Sequence, residues 1–320
     1  MKDQYLTLYR NMKRIRLVEA AIADNYNNEV REMHTPIHLY DGQEAVAVGV
    51  CSELTNKDAV FSNHRCHGHY LAKGGNLNKM IAELHNKETG CCKGYGGSMH
   101  LMDKDHGVAL TSAIVAGNVS IGTGYALAEK MKGDSHVAVI FFGDGASEEG
   151  SVYESICFAK LKKLPVIFVC ENNLYSIATP MNRREPNDDI SSKFKMVLPS
   201  YKVDGNDVIA VKSIASSLIE QAREGEGPSF LECMTYRYRG HHNIGDGVDG
   251  RFRTKEELLR WEKNCPIERI KKKILSDGIA SEKELENIDQ KIALEIEEAF
   301  QYAKRSACPA GDTLYDGLWG

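Results

Sequence analysis

No apolar run in this sequence exceeds the length of a strand, and no charged-then-apolar leader opens it. Neither a membrane span nor a secretory signal is therefore expected, and the cytoplasm is the expected compartment. Basic residues are not in excess. The 40 lysines and arginines stand against 45 acids, for a formal charge of -5, which leaves no electrostatic footprint for nucleic acid. Paired-cysteine spacing is missing too. Nine cysteines are scattered, none is set as CxxC, and Cys91 and Cys92 are adjacent. Reduced thiols are expected rather than a disulfide framework. His64, Cys66, His67 and His69 crowd into HRCHGH and could in principle hold a borderline metal, but no second ligand pair stands at finger-like spacing. The basic run RIKKKIL, 269–275, has acids on both sides and reads as the wet face of a helix. There is no internal repeat and no low-complexity segment.

What is present suits an α/β protein. At 320 residues, 42% hydrophobic, the chain can build one large domain or two small ones, each with a substantial core. Leu8, Met12, Ile15, Val18 and Ile22 recur at helical steps, so an amphipathic helix opens the fold over about 1–30. DGQEAVAVGVCSEL, 41–54, reads as a second helix after a turn at Gly42. Four glycines in the fifteen residues 86–100 predict a long loop. The centre is clearest: HVAVIFF, SEEGSVYESICFAKLKKL and PVIFVC read as strand, helix, strand. Such uninterrupted apolar strands imply a mainly parallel sheet with helices on both faces, joined by a right-handed crossover. A third strand is expected over 229–238, followed by a Gly- and His-rich loop. Beyond 254 come helices with polar faces, with capping boxes at Thr254/Glu257 and Ser281/Glu284.

Ligands of parallel sheets lie beyond the carboxyl ends of the strands. Asp144 follows one strand and Asn173 the next. A carboxylate, a carboxamide oxygen and a backbone carbonyl make a hard site suited to Mg2+ or Ca2+, and Mg2+ often completes its shell with phosphate. Gly143 and Gly145 allow close backbone approach, and a helix beginning near Ser147 would offer amides to an anion. Gly-Asp-Gly alone is an ordinary tight turn. Joined to the Asn-Asn across a βαβ unit, it points to a metal-bridged diphosphate.

The stretch GDGASEEGSVYESICFAKLKKLPVIFVCENN closely resembles the thiamine diphosphate signature of the alpha subunits of 2-oxo acid dehydrogenase decarboxylating components, the pyruvate, acetoin and branched-chain group. Further blocks extend the resemblance over nearly the whole chain: HLYDGQEAVAVG, HRCHGHYLAKGG, TGCCKGYGGSMH, IVAGNVSIGTGYALA, TYRYRGHH, FRTKEELLRW and CPAGDTLYDGLW. It implies a thiamine diphosphate-binding α/β fold, with 1–320 as a single diphosphate-half domain and 254–320 as a helical extension. It also implies that Asp144, Asn173 and the carbonyl of Tyr175 hold Mg2+, with Gly143, Gly145 and Ala146 along the diphosphate. Arg65 matches the arginine on the terminal phosphate, a task its planar fork suits. His241 and His38 match active-channel histidines able to donate a hydrogen bond or move a proton. Ala113 and Val115 match the backbone that meets the aminopyrimidine, with Ile114 beside them.

Two departures stand out. The family often has tyrosine before the phosphate-binding arginine, where this chain has His64. No serine lies between 240 and 253, so the phosphorylation known in animal pyruvate enzymes is not expected. The resemblance further implies that the glutamate that activates the cofactor comes from a beta chain, in an alpha2beta2 heterotetramer, and that the acyl group passes to a lipoyl-bearing acyltransferase. The alternatives are acetoin cleavage, transfer of a two-carbon unit to another carbonyl such as a sugar, or a catalytically silent assembly subunit. A dinucleotide enzyme is disfavoured, since GxGxxG does not follow the first strand.

Overall fold

The structure, a computed structural model, describes residues 2–26, 32–242, 244–248 and 253–316. The end of the expected first helix, part of the Gly- and His-rich loop and the last four residues lie outside the described residues. The first half of the chain runs α1 Lys2–Tyr26, α2 Glu44–Cys51, β1 Ala59–Ser62, α3 His67–Ala72, α4 Leu77–Leu84, β2 Val108–Thr111, α5 Gly117–Lys132, β3 Ala138–Gly143 and α6 Gly150–Lys162. Then come β4 Val166–Asn172, a short hairpin of β5 Tyr175–Ser176 and β6 Thr179–Pro180, α7 Ile190–Phe194, β7 Ser200–Asp204, α8 Val208–Arg223 and β8 Ser229–Met234. Helices α9 Lys255–Lys263, α10 Pro266–Ser276 and α11 Glu282–Arg305 close it.

Six strands form one sheet in the order β2-β1-β3-β4-β8-β7, and every neighbouring pair is parallel. Side chains of β3 alternate between its faces. Ala138, Ile140 and Phe142 join a core with residues of α5, α6 and α7, while Val139 and Phe141 join one with α2 and α8. The expected cover on both faces is therefore met. A third core gathers α1, α3, α4, α10 and α11, with Leu8, Met12, Ile15, Val18 and Ile22 of α1 all buried in it.

Strand order dictates where a ligand can sit. From β1 the chain crosses to β2 on one side and then returns to place β3 on the other. Loops leave β1 and β3 in opposite directions, opening a crevice at their carboxyl ends.

Several expectations need correction. No α-helix begins at Ser147: a 3-10 turn fills Asp144–Glu148 and α6 starts at Gly150. Ser147 Oγ donates back to the Asp144 carbonyl at 2.7 Å, and that local bond favours the tighter turn. The third strand ends at Met234, not 238. The box at Ser281/Glu284 is complete, but Thr254 has only half of one. Its hydroxyl accepts from the Glu257 amide at 3.2 Å, while the Glu257 carboxylate is drawn away to the hydroxyls of Tyr175 at 2.6 Å and Tyr236 at 3.0 Å. The basic run lies on α10 as expected, where Arg269 meets Asp204 and Asp207.

Candidate active site

A cavity of about 380 Å³ opens at the carboxyl ends of the strands. After β1 it takes Asn63, His64 and Arg65; after β2, Ala113 and Val115; after β3, Gly143 through Ala146. Glu171, Asn173, Tyr175, Ser176 and Ile177 come from the end of β4 and the hairpin, Arg237 and His241 from the exit of β8, and His38 and Gln43 from the approach to α2. Residues up to about 200 positions apart in sequence thus converge because parallel strands end at one edge. Ile114 is the exception among the expected site residues. It is not part of the cavity wall, and its side chain is 70% exposed.

Oxygen donors line one side. Asp144 is buried, and its Oδ2 meets Arg184 while its Oδ1 has no partner. Such an orphaned buried oxygen is costly unless a ligand completes it. Burial raises the Asp144 carboxyl above its usual range, against the opposing pull of Arg184. Asn173 Oδ1 accepts only long bonds, from the Tyr175 amide at 3.3 Å and Arg237 Nε at 3.4 Å, while its amide nitrogen donates to Gln43 at 3.1 Å. These bonds fix the orientation of the carboxamide. A Cβ on Gly143 would meet nothing within 4 Å, and one on Gly145 would strike Ser176 Oγ at 2.6 Å. Glycine at the first keeps a cradle open, and at the second lets the hairpin close.

Cations and imidazoles line the other side. Arg65 Nη1 donates to the Leu39 carbonyl at 2.7 Å, and Nη2 to the His241 carbonyl at 3.0 Å. Arg237 Nη2 donates to the Ile177 carbonyl at 2.8 Å, and its buried Nη1 has no partner. Burial lowers the Arg65 guanidinium to about 10 and that of Arg237 to about 9. Both remain charged at neutral pH, which leaves two cations in a wall short of counter-ions. One nitrogen from each of His38, His64 and His241 lies within 4.8 Å of the others, a grouping that superficially suits zinc. The arginines decide against it. A divalent ion about 5 Å from a guanidinium meets repulsion of roughly 7 kcal/mol at an effective dielectric of about 20, and this group of three imidazoles has no carboxylate to offset it, as Asp144 does on the other side. An anion there is attracted instead.

The rest of HRCHGH does other work. His67 sits between Glu19 at 3.0 Å and Ser98 at 2.9 Å, and Cys66 donates to the Ser98 carbonyl at 3.2 Å. His69 bridges Ser62 at 2.8 Å and Glu171 at 3.1 Å, and Glu171 also accepts from Tyr40. These buried bonds tie β1, β4 and the 38–40 segment together, so the cluster in sequence is scaffold rather than a metal site. Sequence reasoning missed Gln43, Glu171 and Arg237. For Arg237 no sequence signal separated it from Arg239, since residues two apart in extended chain share a side, yet Arg237 reaches the cavity while Arg239 meets Asp41 at 3.1 Å.

The model of the dehydrogenase E1 component family matches residues 10–310. The chain belongs to that family. It is 39% identical over 320 residues to the alpha subunit of acetoin:2,6-dichlorophenolindophenol oxidoreductase of Bacillus subtilis, covering 99% of this chain and 94% of that protein. The pyruvate dehydrogenase E1 component subunit alpha of Rhizobium meliloti is 38% identical over 319 residues, 99% of this chain and 90% of that one. A mitochondrial pyruvate dehydrogenase E1 alpha subunit of Pisum sativum is 38% identical over 320 residues, 99% and 79% of the two chains. No described helix of this E1-family chain is long and apolar enough to cross a membrane.

Proposed function

We propose that this E1-family chain is the alpha subunit of a two-chain, thiamine diphosphate-dependent dehydrogenase that decarboxylates a 2-oxo acid and passes the acyl group to a lipoyl-bearing acyltransferase. The observation that carries the reading is the unpartnered Asp144 Oδ1, near the Asn173 oxygen in a cavity wall that also holds two buried guanidiniums. That wall suits a metal on one side and phosphate on the other.

Asp144, Asn173 and the Tyr175 carbonyl would hold Mg2+. Arg65, Arg237, His64 and His241 would take phosphate oxygens, with the backbone of Gly143, Gly145 and Ala146 alongside. Ala113 and Val115 would meet the aminopyrimidine, with Ile114 at the rim. When bound, thiamine diphosphate supplies the electron sink for decarboxylation. His38 and His241 would carry protons or donate hydrogen bonds in the channel. Residues 1–320 would act as one diphosphate-binding unit.

A beta chain is needed for a chemical reason. Of the two acids in the cavity wall, Asp144 would be taken by the metal through Oδ1 and by Arg184 through Oδ2, and Glu171 is held by Tyr40 and His69. Neither is available to activate the cofactor, which supports a glutamate supplied across an alpha2beta2 interface. Near the cavity, Ile121, Gly124, Ala128 and Met131 make an exposed stripe along α5, a surface suited to such a partner. The nine free cysteines favour a reducing compartment such as the cytoplasm.

A second reading, acetoin as donor, is favoured by the Bacillus subtilis relative. Dye reduction by the chain co-expressed with its beta partner, offered a 2-oxo acid or acetoin, tests both. Activity with a 2-oxo acid is expected, activity with acetoin alone selects the second reading, and activity with neither refutes both.

A further inference from the structure

His38, His64 and His241 come from three separate segments, and their rings pack together with centroids 4.7, 5.0 and 5.3 Å apart. The charged groups bearing on them are the guanidiniums of Arg65 and Arg237. Arg65 Nη2 stands 3.5 Å from His241 Nδ1. His67 and His242, the other imidazoles nearby, bring no negative charge. Of the acids in the cavity, Asp144 is tied to Arg184 and Glu171 to Tyr40 and His69. Among the described residues no carboxylate bonds to any of the three rings.

A proton placed on this cluster therefore has nothing to neutralise it. Burial first, then Arg65, pushes the His38 and His241 imidazoles down to about 3 and that of His64 to about 2. All three are neutral at physiological pH, and the buried Nδ1 of His38 has no partner. A phosphate dianion entering between the rings and the arginines reverses the local field, so a ring that was repelled by its surroundings becomes attractive to a proton. Rings this close repel each other once charged, and they titrate as one unit.

We propose that the three histidines form a proton-linked anion clamp: binding of a diphosphate ester draws one proton, shared by the cluster, from solvent. This rests on the cofactor reading above. The rings are neutral in the free protein and share a charge in the complex, so affinity falls as pH rises. The fall is about tenfold per pH unit for each proton taken up, over the range where the phosphate stays dianionic.

Isothermal titration of Mg2+–thiamine diphosphate into the assembled two-chain enzyme tests the clamp. The titration is run at about pH 7.5, above the second phosphate ionisation, in two buffers of different ionisation enthalpy. Uptake of about one proton is expected, with about half that or less in His64→Tyr and none when thiamine replaces its diphosphate. Normal binding with the same heat in both buffers overturns the clamp alone. Absence of binding in either buffer overturns the cofactor reading and the clamp with it.

Discussion

Arg65 joins three pieces of chain, since its fork reaches the Leu39 and His241 carbonyls while its own amide donates to Asn63 Oδ1 at 2.7 Å. The bonds pre-order the guanidinium for an incoming phosphate. Arg65→Ala is expected to weaken thiamine diphosphate by about 30- to 100-fold, the value of one or two charge-assisted hydrogen bonds, and thiamine by less than about threefold. Equal losses for both ligands would place Arg65 away from the phosphate. At this scale the sequence was informative wherever a residue directly follows a strong strand, as Asp144 and Asn173 do. It was uninformative where direction depends on packing. Ile114 sits between two cavity residues yet turns outward, and Arg237 lies in a quoted motif beside Arg239, from which only the folded packing separates it.

Among the elements, the loop over 86–100 depends on one buried carboxylate. Glu83, at the end of α4, accepts from the amides of Cys92 at 2.7 Å and Gly94 at 2.9 Å on one oxygen. On the other it accepts from Gly96 at 2.7 Å and Gly97 at 3.1 Å. Four donors need two acceptor oxygens, and an amide has one. Glu83→Gln is expected to cost about 2–4 kcal/mol, because its NH2 would face two buried N–H groups. Urea unfolding checks it, and a loss under about 0.5 kcal/mol would mean the loop has other support. The long helices and central strands were legible through their periodicity. Strands β1 and β2, four residues each, are too short to show one. Strand β7, SYKVD, lies at the edge of the sheet and is mostly exposed, so it lacks the apolar run that marks the central strands.

For the whole molecule, strand order matters most. The reversal between β2 and β3 makes the crevice, and the same reversal brings the GDG turn opposite the arginine loop. The βαβ core and its ligand end were readable from sequence, but the order of six strands was not, because nothing local specifies which neighbour a returning strand pairs with. The segment GNVSIGTGYALA divides between two faces: Val119, Gly122 and Ala126 are buried against the sheet side, while Ile121 and Gly124 face out. That exposed apolar stripe on α5 is the surface the proposed two-chain enzyme would use.

The central claim is a diphosphate held through a metal at Asp144, in a site shared with a second chain. Titration of thiamine diphosphate, with and without Mg2+, into the chain alone and the co-expressed pair tests it most directly. Tight binding is predicted only for the pair with Mg2+, with Asp144→Ala binding weakly and indifferently to the metal. Affinity that is the same with and without Mg2+, or unchanged in Asp144→Ala, would contradict it.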